Sequence, residues 1–338
     1  MKNLEYHGKK PTRIGFAEGL VEMGEKHDNV VVIGADVSGS VKTSMFRDKF
    51  PERFFSVGVA EQNATTVAVG LALSGKIAVF SSYSAFAAFR NADQLRISVC
   101  YNEANVKICG GHSGITVGPD GATHQSLEEV SFLRALPNLT LVVPCDYLET
   151  KKAIKAICEM EGPAYLRFGR SDVAMITTED TPFEIGKAEI FREGTDVTLI
   201  ANGIMVWESM RAAEELEKRK GIKARVINNH TIKPIDEETI VAAARETGAI
   251  VASEEHQVHG GLGAAVAEVV VKNYPVPMEI VGIKDTFGGS GEPEELCEAY
   301  GLTWKEIYAS ALVAIERKDK GFIGVRKVKD VPQFTDEV

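Results

Sequence analysis

Short runs rich in Val, Ile and Phe recur along this chain, each followed by a helix-length segment, and no other feature restricts the fold as strongly. That alternation predicts parallel strands joined by crossover helices. Strands are expected near 30–35, 54–58, 76–81, 105–109, 140–144 and 164–168. A helix is expected over 60–74, with Ala60, Ala64, Val67, Ala68 and Leu71 on one face, and another over 146–160. After a polar stretch over 177–196 that contains Pro182, the pattern resumes with strands near 196–201, 222–228, 249–254 and 278–283 and a helix over 205–219. The 338 residues are thus read as two α/β domains, 1–185 and 190–320, and a polar tail, 321–338.

Thirty-eight Lys and Arg against 48 Asp and Glu leave a formal charge of −10, which argues against a nucleic-acid partner, because affinity for a phosphate backbone comes from clustered cations. Any phosphate bound here is bound locally. Cys100, Cys109, Cys145, Cys158 and Cys297 form no CxxC pair and suit a reducing compartment, so a cytoplasmic location is expected. The opening MKNLEYHGKKPTRIGF lacks a signal peptide's apolar core, and no uncharged apolar stretch approaches the roughly 20 residues that span a bilayer.

In an open α/β sheet the working residues collect where strands give way to helices, and four such places stand out. In SVGVAEQ, Glu61 opens a helix rich in Ala and Gly. It either complements the helix dipole or, if packed closely, becomes a desolvated carboxylate able to share a proton with a ligand nitrogen. In FSSYSAFAAFR, Tyr83, Phe86 and Phe89 recur every three residues, as core or as a slot for a flat ring. CGGHSGITVGPDGATHQ is a glycine-punctuated loop carrying His112, Asp120 and His124. Without HxH or HxxxH spacing it suits hydroxyl and phosphate groups better than a metal, unless it is a mobile surface loop. Arg13, Asp36, Ser40 and Arg170 are each ordinary alone and gain meaning only if their loops converge.

These junctions, in this order, resemble the pyrimidine-binding and C-terminal domains of transketolase. SVGVAEQ is similar to the VGxxEQ junction whose glutamate meets the aminopyrimidine of thiamine diphosphate, which implies that role for Glu61. HSGITVGPDGATHQ, with its histidines twelve residues apart, resembles the family signature HxSIGVGxDGxTHQ. The resemblance implies a ring slot from Tyr83, Phe86 and Phe89, with Asp36 beside the thiazolium. It implies sugar-phosphate contacts from Arg13, Ser40, His112 and Arg170, and contacts from Asp120 and His124 to hydroxyls at the reacting carbon.

The family's GDG, followed by an Asn that holds the Mg or Ca ion on the diphosphate, has no counterpart in this sequence. The resemblance therefore implies an N-terminal transketolase subunit as partner, supplying the diphosphate and metal domain, with two copies of each chain. The expected activity is ketol transfer from a ketose phosphate to an aldose phosphate. The nearest alternative is the beta subunit of a 2-oxo-acid dehydrogenase first component, which usually lacks the paired-histidine loop. A nucleotide-binding scaffold built on HGGLGAAVAE is disfavoured because the segment is not GxGxxG.

Overall fold

The computed structural model describes residues 6–321. In chain order its strands are β1 (Lys9–Pro11), β2 (Val30–Gly34), β3 (Phe54–Ser56), β4 (Ile77–Tyr83), β5 (Val106–Gly111), β6 (Thr140–Val142), β7 (Ala164–Arg167) and β8 (Asp172–Ala174). They continue with β9 (Glu189–Arg192), β10 (Val197–Ala201), β11 (Ala224–Asn228), β12 (Thr231–Lys233), β13 (Ile250–Gln257) and β14 (Met278–Ile283). One sheet runs β12-β6-β7-β5-β4-β2-β3 and is parallel except for β12; the second runs β14-β13-β10-β11-β9 and is parallel except for β9. Helices flank both sheets, so the α/β architecture expected from the alternation is the one observed. Every residue of β2 and β10 is buried, which is why those segments read as unbroken apolar runs.

Two features depart from the reading of the sequence. The polar stretch 177–196 contains β9, an antiparallel edge strand of the second sheet. Thr231–Lys233 crosses over to extend the first sheet, where Ile232 joins the core with Val31, Phe80 and Leu141. The tail lies outside the described residues from 322 onward.

A single apolar cluster passes from Ile115, Leu127 and Cys145 of the first sheet's layers into Leu199, Val226 and Leu302 of the second's. A buried carboxyl sits on this boundary. Glu149 accepts from the Cys145 amide at 2.6 Å and from Asn228 Nδ2 at 2.6 Å. Burial, reinforced by the neighbouring Asp146 charge, pushes Glu149 up to about 7.

Within the first layer, helix Thr12–Lys26 lies against helix Tyr147–Glu159 at glycine contacts. A Cβ on Gly15 would stand 2.1 Å from the Tyr147 carbonyl oxygen, and one on Gly19 would stand 2.5 Å from an Ile154 methyl. Gly to Ala in an exposed helix stabilises by about 1 kcal/mol. Here the clash is with backbone, so Gly15→Ala should instead lose about 1–3 kcal/mol in chemical denaturation; a stabilised variant would refute the close approach. Glu149 adds a pH signature. Its folded value lies above the usual 4.5, so its stabilising contribution is complete below that value and is lost as pH rises through about 7. Glu149→Gln should flatten the decline in melting temperature between about pH 5 and 8, and superimposable melting profiles of the two proteins would count against it.

Candidate active site

The strand ends of the first sheet supply the candidate residues. Tyr83 ends β4, His112 follows β5, Arg170 lies three residues beyond β7, and Asp36 and Ser40 follow β2. Glu61 opens helix Glu61–Leu73 after β3, and Arg13 lies in the first turn of helix Thr12–Lys26.

Glycines shape the loop after β5. Gly114, Gly118 and Gly121 all adopt positive φ, so the chain reverses repeatedly within a few residues. His112 also has a positive φ of 53°, an uncommon backbone for a residue with a side chain. Packing holds it there. The imidazole is 1% exposed and stacks on Tyr83 at 4.1 Å between ring centroids and 7° between planes. Its Nδ1 is buried with no hydrogen-bond partner. Burial first, and then the charges of Arg13 and Arg170, lower its pKa to about 3, although Asp120 opposes the shift. His112 is therefore neutral near pH 7 and offers a ligand a hydrogen-bond partner rather than a charge.

Arg170 donates to Asp120 at 3.0 Å and to the Val117 carbonyl at 3.3 Å, while Arg13 donates to the Ser40 carbonyl at 3.1 Å. Burial and the charge of Arg170 pull Arg13 below its ordinary value, and Arg13 Nε is buried without a partner. The Arg170 charge bears on Arg13, which Asp172 partly offsets, while Asp120 pairs with Arg170 alone, so the unpartnered Arg13 Nε is left as a donor that a bound anion could take. Ser40 contributes its carbonyl here.

On the other side of the aromatic row, Glu61 is 5% exposed and accepts from Arg90 Nη1 at 2.9 Å. Arg90 in turn lies over Phe86, 3.8 Å from the ring centroid. Phe86 stacks on Tyr83 at 5.7 Å and 6°, and His124 meets Phe86 edge-on at 5.3 Å and Tyr83 at 5.8 Å. His124 Nδ1 pairs with Thr123 Oγ1 at 2.9 Å. Glu61, Arg90, Phe86, His124, Tyr83 and His112 thus form one continuous row.

Two candidates stand apart from that row. Phe89 is 41% exposed, and the three-residue spacing misled because Phe86–Arg90 is wound as a π-helix. Its hydrogen bonds run from i to i+5, so positions three apart do not share one face. Asp36 is exposed, with a φ of 62°, and makes no hydrogen bond or ion pair with the other candidates among the described residues. Arg90 is absent from the residues singled out in the sequence, although its place four residues after Phe86 in FAAFR is a legible cation–aromatic spacing.

Among the described residues no group of three or more His, Cys, Asp or Glu is arranged to hold a metal, and no helix is long and apolar enough to cross a membrane. A cavity of about 410 Å³ lies between the domains, lined by Cys145, Trp207, Cys297 and Leu302, and none of the candidate residues borders it. The candidate row instead runs between buried Glu61 and His112 through half-buried Tyr83, Phe86 and His124, with Arg90 exposed. Exposed Phe55 and Val59 precede Glu61 in the chain, and Phe89 precedes Arg90.

Residues 9–175 match the pyrimidine-binding domain of transketolase, and residues 186–307 match its C-terminal domain. The 6-deoxy-6-sulfo-D-fructose transketolase subunit of Clostridium sp. is 43% identical over 94% of this chain and 97% of its own length. An apulose-4-phosphate transketolase subunit of Phocaeicola vulgatus is 38% identical over 90% of this chain and 97% of its own. A solved structure described as a split gene transketolase, inactive beta4 tetramer, superposes with a TM-score of 0.85 at 44% identity, covering 92% of this chain and 100% of that one. Two matched domains in family order, with relatives that are themselves subunits, settle the assignment. The chain belongs to the transketolase family and consists of its pyrimidine-binding and C-terminal domains.

Proposed function

We propose that this chain is the C-terminal subunit of a two-chain transketolase that moves a two-carbon ketol unit from a ketose phosphate to an aldose phosphate. It acts in the cytoplasm, as two copies with two of a partner chain. The observation that carries the reading is the continuous row from Glu61 to His112, opening beside the Arg13–Arg170 pair. The buried carboxylate and aromatic row fit the ring end of thiamine diphosphate, and the diphosphate with its Mg or Ca ion falls to the partner subunit. The relatives named for a sulfonated fructose and a phosphorylated apulose both carry an anionic sugar in their names, which agrees with two arginines at the substrate end.

Thiamine diphosphate, when bound, supplies the nucleophilic carbon that takes up and releases the two-carbon unit. Glu61 holds a proton toward the aminopyrimidine once Arg90 yields its place. Phe86 and Tyr83 bound the ring slot, with Phe89 and Asp36 completing it only toward the partner's side. Arg13, Arg170 and neutral His112, with Ser40 alongside, hold the anionic end of the sugar. His124 moves protons at the sugar hydroxyls, and Asp120 orients them while anchoring Arg170.

Three outcomes are expected. The chain reconstituted with its partner, thiamine diphosphate and Mg²⁺ should turn over xylulose 5-phosphate with ribose 5-phosphate; turnover of pyruvate or branched-chain keto acids instead would assign it to the dehydrogenase class. Glu61→Ala should lower that turnover by about 10²–10⁴-fold, whereas a near wild-type rate would remove Glu61 from its role. By nuclear magnetic resonance, the His112 imidazole should stay neutral down to about pH 4, given its value of about 3. Titration near 6.5 would mean that its burial and arginine neighbours do not act as described.

A further inference from the structure

The second domain holds no candidate residue, yet it grips the histidine loop from behind. Strands buried on both faces are normally apolar, but β13 reads IVASEEHQ, with Glu254, Glu255 and His256 all buried. The role of Glu254 is structural, since its carboxylate accepts the Leu262 and Gly263 amides at 2.7 and 2.9 Å and so caps the following helix. Glu255 reaches the other way, across the domain boundary. Its Oε1 accepts the Thr116 amide at 2.8 Å, in the middle of the loop, four residues from both His112 and Asp120.

We infer that Glu255 is a positioning residue that fixes the histidine loop over the strand ends, so that the second domain sets the geometry with which the first grips the sugar's anionic end. The inference rests on the ketol-transfer reading for its substrate. The packing around Glu255 is specific. A Cβ on Gly114 would lie 2.2 Å from the Glu255 carboxyl, so the glycine makes room for the carboxylate. The Thr116 peptide is held from both sides, because its carbonyl accepts Ser171 Oγ at 2.7 Å. Ser171 adjoins Arg170, which binds Asp120, and the far end of the loop is tied by Gln125 Nε2 to the Gly289 carbonyl at 2.8 Å. The Glu255 backbone is fixed in turn, since its carbonyl accepts from Arg167 at 2.9 Å. A shift at Thr116 would therefore reach Arg170 through Ser171 and the Val117 carbonyl, and Asp120 through Arg170.

The test compares Glu255→Asp, which keeps a carboxyl but withdraws its oxygens by one methylene, with Glu255→Gln, which keeps an acceptor at the same reach. In the reconstituted enzyme, Glu255→Asp should lower kcat/KM for the phosphorylated ketose by about tenfold or more while changing that for the unphosphorylated ketose far less, since small misplacements are amplified in rate. Glu255→Gln should restore most of the loss. In the full-length chain alone, hydrogen exchange of the amides at 114–118 should be about tenfold faster in Glu255→Asp, with exchange in β4 and β10 unchanged. Equal losses for both sugars, no rescue by Glu255→Gln, or unchanged exchange in the loop would overturn the inference. An inactive wild-type assembly would overturn the ketol-transfer reading, and the exchange result would still judge Glu255.

Discussion

Arg167 is a cation 4% exposed at the end of β7, and the arrangement of the site depends on its pairing. Its Nε donates to Glu129 at 2.6 Å, and its Nη2 donates to the carbonyls of Ser126 and Glu255 at 3.3 and 2.9 Å. Burial alone would push Glu129 up, but the Arg167 charge holds it below the ordinary carboxylate value. Glu129 also accepts from Ser84 Oγ, which is paired with the Tyr165 hydroxyl, and Ser84 directly follows Tyr83. One buried ionic knot thus joins the ends of β4 and β7, the close of the histidine loop and the second domain. Breaking a buried pair by removing one partner costs about 3–5 kcal/mol, because it strands a charge. The knot can therefore hold the loop in one place, where exposed ion pairs on flexible stems could not.

This dependence explains what is legible in the sequence. Glu61, His112, Asp120 and His124 stand out because each sits in a local signature, a strand running into a helix or a loop marked by glycines. The strands stand out because burial on both faces leaves an unbroken apolar run. Glu255 and Arg167 carry no local signature, since their meaning comes from partners 139 and 38 residues away. A hint exists in β13, where two glutamates interrupt a strand that should be apolar. Phe89 misleads for the opposite reason: its local period is genuine, but the π-helical winding of the segment changes which positions share a face. The crossing of β12 into the first sheet is illegible because a three-residue strand shows no period of its own.

The exposed residues beside the row, Phe55, Val59, Phe89 and Arg90, bear on the proposed division between subunits. Residues 9–175 and 186–307 match two family domains, and neither contributes a metal-binding group among the described residues. A ligand held between this face and another chain would be covered only on assembly, so the buried Glu61 carboxylate needs a neutralising neighbour while it waits. Arg90 meets that need while its guanidinium lies over Phe86 and is itself half exposed. A cation stacked on an aromatic face keeps much of its hydration while neutralising the carboxylate, which makes it easier to displace than a fully buried one.

Charge bears on the proposed substrate end in the same way. The chain as a whole is acidic, at −10, so no general field draws anions to it. Attraction has to be local, and local fields are strongest where cations are partly desolvated. Arg13 and Arg170 meet that condition. His112 beside them is neutral because a third positive charge there would be both desolvated and repelled. A neutral imidazole with a free buried nitrogen adds direction without adding to the repulsion between the arginines. Two fixed charges and one neutral hydrogen-bonding group match a tetrahedral anion, which offers several oxygens in different directions but only one or two net charges. The position of that imidazole depends on a backbone at positive φ, and that backbone is held by the loop which Glu255 and the Arg167 knot pin from below.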